Sequence, residues 1–234
     1  MKHRTKKKHI HQYWTTKKQR EKNKTLCKRY PFLIPRSVWT DKIIWDMKWN
    51  GKKDKAYNYT LADDFPTGWW KAFGIQLCEE LREDLIKCNY LYQFRFEQVK
   101  SKYGQLRVYP GSLPKESNAW DIIEDYSKLS ENICEHCGKP DQHILNYRGW
   151  IICLCERCYY KAEGIKKKNI QKYSRKNGYC IPSYESYIIK DAKNRMADER
   201  TITRYTPGGV EETVTYDLRA KAEAIRIRWR KIHE

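Results

Sequence analysis

Four cysteines near the middle of the chain form two pairs, Cys134-Glu-His-Cys137 and Cys155-Glu-Arg-Cys158, with 17 residues between them. This C-x2-C-x17-C-x2-C spacing constrains the fold more than any other feature of the sequence. A two-residue gap lets one tight turn aim two thiolates at one ion. A 17-residue gap leaves room for a hairpin that brings the second pair round to complete a tetrahedron. One Zn²⁺ held by Cys134, Cys137, Cys155 and Cys158 is therefore expected. Four thiolates leave no position open to water or substrate, so the ion is expected to be structural and to supply folding energy. Lys139 and Arg157, each within two residues of a ligand, would offset the negative charge of the site.

The flanks indicate the kind of zinc fold. Gly138 follows the first pair, where a zinc knuckle needs a left-handed turn. His143–Tyr147 and Trp150–Leu154 are strand-like, and Arg148-Gly149 joins them as a two-residue turn. Tyr159-Tyr-Lys-Ala-Glu163 after the second pair has helix character and no glycine. Knuckle, hairpin and then a helix carrying the second pair is the order of a treble clef; a zinc ribbon would repeat the knuckle glycine. Cys153 is the competing thiol, expected to pack under the hairpin, and His136 is expected to be exposed. Cys27, Cys78, Cys88 and Cys180 have no ligand spacing and read as small packing residues. Nine cysteines, an odd number, with no apolar segment after the basic start, fit a reducing cytoplasm better than a disulfide framework.

Upstream, the pattern predicts an α+β body over 31–133, continuous with a zinc module over 134–170. Residues 30–65 read as loop, with Tyr30–Pro35 and the tryptophans at 39, 45 and 49 wrapped over the core. Trp70, Phe73, Leu77, Leu81, Leu85 and Cys88 recur at helical steps and predict a helix over 67–88. Glu79, Glu80, Glu83 and Asp84 lie off that stripe and read as a solvated face. Gln93–Lys100 and Gln105–Tyr109 alternate as strands about a Ser101–Gly104 turn. Phe94 with Phe96, and Leu106 with Val108, point inward. Asn118 is expected to cap a helix over 119–133 with Ile122, Tyr126, Leu129 and Ile133 inward, feeding directly into Cys134.

The string Phe96-Glu-Gln-Val-Lys-Ser-Lys-Tyr-Gly-Gln-Leu-Arg-Val-Tyr109, the helix after it, CEHCGKP, and Arg148-Gly149-Trp150 before the second pair carry a resemblance. Together they resemble a widespread family of uncharacterised phage and prophage proteins that pair a "QIKEKFGTLRFY"-like hairpin with a CxxCG…GW…CxxC unit. The resemblance covers roughly 64–160. It implies a small α+β zinc domain of phage or mobile-element origin and implies no activity.

Charge suggests the partner. The chain carries +19, distributed unevenly. Residues 1–30 hold twelve Lys/Arg against one acid, 31–158 hold 18 against 18, and 159–234 hold 18 against 10. Basic extensions on a neutral body suit a polyanion, because each cation near a phosphate releases counterions. Nucleic acid, or a nucleoprotein complex, is the expected partner. The expected contacts are Lys6, Lys7, Lys8, Lys17, Lys18 and Arg20 from an N-terminal arm over 1–30, and Lys166, Lys167, Lys168, Arg226 and Arg230 from the C-terminal side. Residues 1–24 read as too poor in apolar side chains to belong to the core. In the extension over 171–234, Thr201–Tyr205 and Val210–Tyr216 predict a hairpin about Pro207-Gly-Gly209. Asp217 then caps a helix whose seam is Leu218, Ala222, Ile225, Trp229 and Ile232.

No uncharged apolar run approaches the roughly 18 residues of a membrane span. A non-enzymatic binding protein is the reading that fits best. A phage-encoded inhibitor of a host defence or nuclease complex is the alternative, with a host protein as its target. An HNH-type nuclease is a third reading, because Asp141-Gln-His143 enters the first hairpin strand where such enzymes keep their base. Cys158-Tyr-Tyr-Lys161 departs from that pattern, which has a histidine directly after the cysteine.

Overall fold

The computed structural model describes residues 15–45, 55–147, 149–162, 199–205 and 211–233. Among the described residues it is an α+β protein of helices and three separate two-stranded antiparallel sheets. In chain order the elements are α1 (Lys17–Arg29), α2 (Thr67–Trp69), α3 (Ile75–Lys87), β1 (Phe96–Lys102), β2 (Gln105–Pro110) and α4 (Ala119–Ser130). They continue with β3 (His143–Tyr147), β4 (Trp150–Leu154), α5 (Glu156–Ala162), β5 (Glu199–Tyr205), β6 (Glu211–Asp217) and α6 (Arg219–His233).

One main core gathers α1, the short 3-10 turn Pro31–Leu33, α2, α3, the β1–β2 hairpin, α4 and α6. A second, smaller core holds Cys134, Leu145, Leu154, Cys155, Cys158, Tyr159 and Tyr160.

The helix expected over 67–88 is present with a change of phase. One wide turn, Trp70–Gly74, separates α2 from α3. The extra residue in such a turn rotates the stripe, so Trp69 rather than Trp70 is fully buried, above Phe73, Leu77, Leu81 and Leu85. Of the acids beside that stripe, Glu83 is exposed as expected and the other three are engaged. Glu79 accepts from Tyr30 and Arg29, Glu80 accepts from Lys221, and Asp84 is buried and accepts from Ser117 and the Asn118 N–H.

The β1–β2 turn is tighter than the Ser101–Gly104 span suggests. The strands pair as far as Lys102 with Gln105, leaving Tyr103 and Gly104 as a two-residue loop with φ of 57° and 74°. Both signs fit a type I′ hairpin. A bulge between Phe96 and Gln98 resets the alternation, so Phe96 and Val99 both face the core with Leu106 and Val108. In α4, Tyr126 and Leu129 point inward as expected, but Ile123 takes the buried place assigned to Ile122. The helix ends at Ser130, and turn hydrogen bonds carry the chain on to Ile133.

The termini are tied in more closely than their charge suggests. In α1 the Thr16 hydroxyl accepts from the Gln19 N–H, Asn23 donates to the Tyr57 carbonyl, and Asn23 and Cys27 are buried. The arm expected over 1–30 therefore contributes a docked helix to the core from residue 16 on. Of the loop aromatics, Phe32 is buried and Trp45 packs against Tyr57, whereas Trp39 stands 91% exposed rather than over the core; Trp49 lies outside the described residues.

At the other end, Arg200 of β5 is buried and pairs with Asp125 of α4 at 2.9 Å, its guanidinium 4.1 Å from the Tyr216 ring centroid. Lys221 of α6 bridges Glu80 and Asp125. Leu218, Ala222 and Ile225 enter the main core, while Ile232 is 65% exposed and Trp229 stacks on His233, so only the first half of the expected seam is buried. The Pro207-Gly-Gly209 turn lies outside the described residues. No helix among the described residues is long and apolar enough to cross a membrane.

Candidate metal centre

The site begins where α4 unwinds into Cys134. The Cys134 N–H donates to the Lys139 carbonyl and the Gly138 N–H to the Cys134 carbonyl, folding the first pair into a knuckle. Gly138 sits at φ +85°, the left-handed region expected for it. The chain then runs through β3 and β4, paired from His143 with Leu154 to Tyr147 with Trp150, with Gly149 at φ +84° in the connection; Arg148 lies outside the described residues. Cys155 directly precedes α5 and Cys158 lies in its first turn.

The four Sγ atoms of Cys134, Cys137, Cys155 and Cys158 lie within 4.8 Å of one another, with Cys137 and Cys155 3.6 Å apart. Tetrahedral Zn–S bonds of about 2.3 Å place sulfurs about 3.8 Å apart, so the cage matches zinc in size. Three of the sulfur-bearing residues are buried and Cys137 is half-buried. Cys153 is fully buried under the hairpin and outside the cluster, and His136, Lys139 and Arg157 are exposed. None of the eight cysteines among the described residues is in a disulfide; Cys180 lies outside them.

Protonation shows why the cage suits a cation. Hydrogen bonds from Cys134 and Cys137 push the Cys155 thiol down to about 2, aided by the backbone N–H of Cys158. Cys137, donating to Cys134 and Cys155, is pushed far up, and burial raises Cys158 to about 12. The Lys139 N–H also donates to the Cys137 sulfur. Thiolates, not thiols, bind a metal, so a dication takes the place of the protons. Cys137 and Cys158 each hold a proton at neutral pH that metal must displace. Zinc affinity is therefore expected to fall with acidification, by at least about a hundredfold per pH unit for two displaced protons. Chelator competition across a pH series measures this. A flat profile would contradict thiolate ligation.

Gly68, Trp69 and Glu135, none of which carries a local sequence signal, hold the knuckle in place. The Gly68 N–H donates to the Glu135 carbonyl at 2.7 Å, and a Cβ on Gly68 would stand 2.2 Å from the Cys134 carbonyl oxygen. The knuckle thus lies directly on the backbone of α2, and Trp69 adds an Nε1–H bond to the Ile133 carbonyl at 2.7 Å. Glu135 exchanges backbone and side-chain bonds with Cys153 and accepts from Ser101. Burial raises its carboxyl above the ordinary range, against the pull of those bonds. Glu135 thus hydrogen-bonds the knuckle to β4 and β1.

Five of the expected nucleic-acid contacts lie among the described residues. Lys17 and Lys18 are exposed on the first turn of α1, and Arg20 donates to the Thr15 carbonyl. Arg226 pairs with Asp141 at 3.1 Å and Arg230 with Glu223 at 2.7 Å, so both are engaged within the protein. Lys6, Lys7, Lys8, Lys166, Lys167 and Lys168 lie outside the described residues. No protein-family model matches the chain, and no curated protein and no solved structure matches it either.

Proposed function

We propose that this protein is a non-enzymatic zinc protein of treble-clef type that binds nucleic acid, alone or within a nucleoprotein complex. A phage or mobile-element setting is suggested by the hairpin and knuckle motifs. The observation that carries the reading is the placement of charge on α1. Lys17, Lys18, Lys22 and Lys28 are exposed on a helix fixed to the core, with Glu21 as its single acid. Fixed cations of one sign attract a polyanion without first ordering a tail. The donor set supports a structural role for the metal, since four thiolates complete the zinc shell.

Because α1 belongs to the core, the test removes residues 1–14 and leaves the helix whole. That segment holds five Lys/Arg and no acid. Each cation that meets a phosphate contributes about 0.7 to 0.9 to the slope of log affinity against log salt. The truncated protein is expected to keep its melting temperature, to bind nucleic acid more weakly, and to lose about 2 to 4 from that slope. Binding over a salt series measures it. An unchanged slope would contradict phosphate contact by this segment and turn attention to a host protein target.

A further inference from the structure

The outward face of the β1–β2 hairpin pairs cations with exposed aromatic rings. Alternation puts Lys100 and Lys102 of β1 on one face with Arg107 and Tyr109 of β2, opposite the buried Val99, Leu106 and Val108. Lys100 Nζ lies 4.8 Å from the Tyr109 ring centroid and Lys102 Nζ 5.3 Å from that of Tyr103. Tyr103 is 64% exposed, Trp120 of α4 54% and Tyr109 39%. All three rings border one cleft of about 200 Å³ between the hairpin and α4, floored by Val108 and Ile123.

Two features mark this cleft as a binding surface. Tyr103 occupies a left-handed position at φ 57°, which glycine or asparagine fills at lower cost. A bulky ring is held there in solvent, where it adds nothing to the core. The edge of β2 is also only partly closed. Leu106 turns its N–H and C=O away from β1 to the Ser130 and Ser127 hydroxyls of α4. By the alternation of an antiparallel ladder, Val108 points its N–H and C=O to the same side, toward the cleft it floors.

We propose that this cleft is a stacking site for unpaired bases of single-stranded nucleic acid. The inference rests on the nucleic-acid reading above and specifies the form of the polyanion and where its bases sit. Aromatic faces take bases of any sequence, and the neighbouring cations take the backbone. Lys102 and Arg107 provide that charge beside the rings. Glu124 is the single acid on the lining; it repels phosphate and accepts from exocyclic base amines, so it belongs to the base side of the cleft. A duplex keeps its base faces stacked inside and cannot use the rings.

The test measures binding of a fluorescent mixed-sequence single strand, and of the matched duplex, by the full chain over a salt series. The wild type is expected to prefer the single strand. Tyr103→Ala with Trp120→Ala is expected to weaken single-strand binding roughly tenfold or more with the salt slope unchanged. Lys102→Ala with Arg107→Ala is expected to lower the slope by about 1.4. Trp120→Phe should keep most of the affinity and lose part of the tryptophan quenching caused by the oligonucleotide. The substituted side chains lie at the surface, and zinc content with melting temperature verifies the fold. Salt-dependent binding that the aromatic variants leave within twofold, or equal preference for duplex, overturns this site while the general reading stands. No binding of any nucleic acid by the wild type overturns both.

Discussion

Cys137→Ser is expected to cost the protein its zinc and to open β3, β4 and α5. Serine offers a hydroxyl that stays protonated at neutral pH, so the cage falls from four thiolates to three. Zinc in such cages contributes apparent binding energies of about 10 kcal/mol or more, which is folding energy for the segment that makes the cage. The metal-side core has little to replace it. Apart from the cysteines, its buried members are Leu145, Leu154, Tyr159 and Tyr160. The main core, with Trp69, Phe73, Leu77, Leu81 and Leu129, lies on the other side of the knuckle and keeps its own packing. Hydrogen exchange should therefore show protection lost over 143–162 and retained in α3 and α4. Full zinc content and unchanged protection in the variant would remove Cys137 from the ligand set.

Gly68→Ala is expected to lower stability by roughly 3 kcal/mol or more, a large effect for one methyl group. The new Cβ would lie 2.2 Å from the Cys134 carbonyl oxygen and 2.6 Å from the Gly138 nitrogen. Both are backbone atoms, so neither can rotate out of the way. Relief requires the knuckle to lift from α2, which also breaks the Gly68 N–H bond to Glu135. For a chain of this size the melting temperature should fall by about 6 to 12 °C, with weaker zinc retention. Gly149→Ala is the control. Its added methyl meets nothing within 4 Å, leaving only the cost of its positive φ, about 1 to 2 kcal/mol. Equal losses at the two glycines would mean that the close approach of α2 and the knuckle is not what constrains Gly68.

These residues also mark how far the sequence could be read. The cysteine spacing and the glycine after the first pair are local signals, and the four sulfurs meet as the spacing implies. Leu106 and Val108 face inward because strand alternation survives in β2; in β1 the bulge interrupts it. Trp69 was hidden because helical periodicity assumes 3.6 residues per turn, and the wide turn at Trp70–Gly74 shifts the stripe by one position. Gly68 has no sequence signal at all, since its role comes from the backbone of Cys134, Glu135 and Gly138, distant in sequence, brought against it. Asp84 and Arg200 were equally hidden. An acid or a base in sequence looks solvated until its partner, here Ser117 or Asp125, is known to sit beside it. Charge concealed the docked helix α1 for the same reason, since Asn23 and Cys27 are a narrow buried stripe in a basic segment. Tyr103 and Trp120 read as ordinary hairpin and helix residues, and only the fold places their rings around one cleft.

One structural zinc ion is expected to complete this fold. Elemental analysis of the purified full-length protein, with melting temperature recorded before and after exhaustive chelation, tests it most directly. One zinc per chain is expected, with a melting temperature that collapses on chelation and recovers when zinc is restored. A folded chain that carries no zinc, and melts at the same temperature with and without chelator, would contradict it.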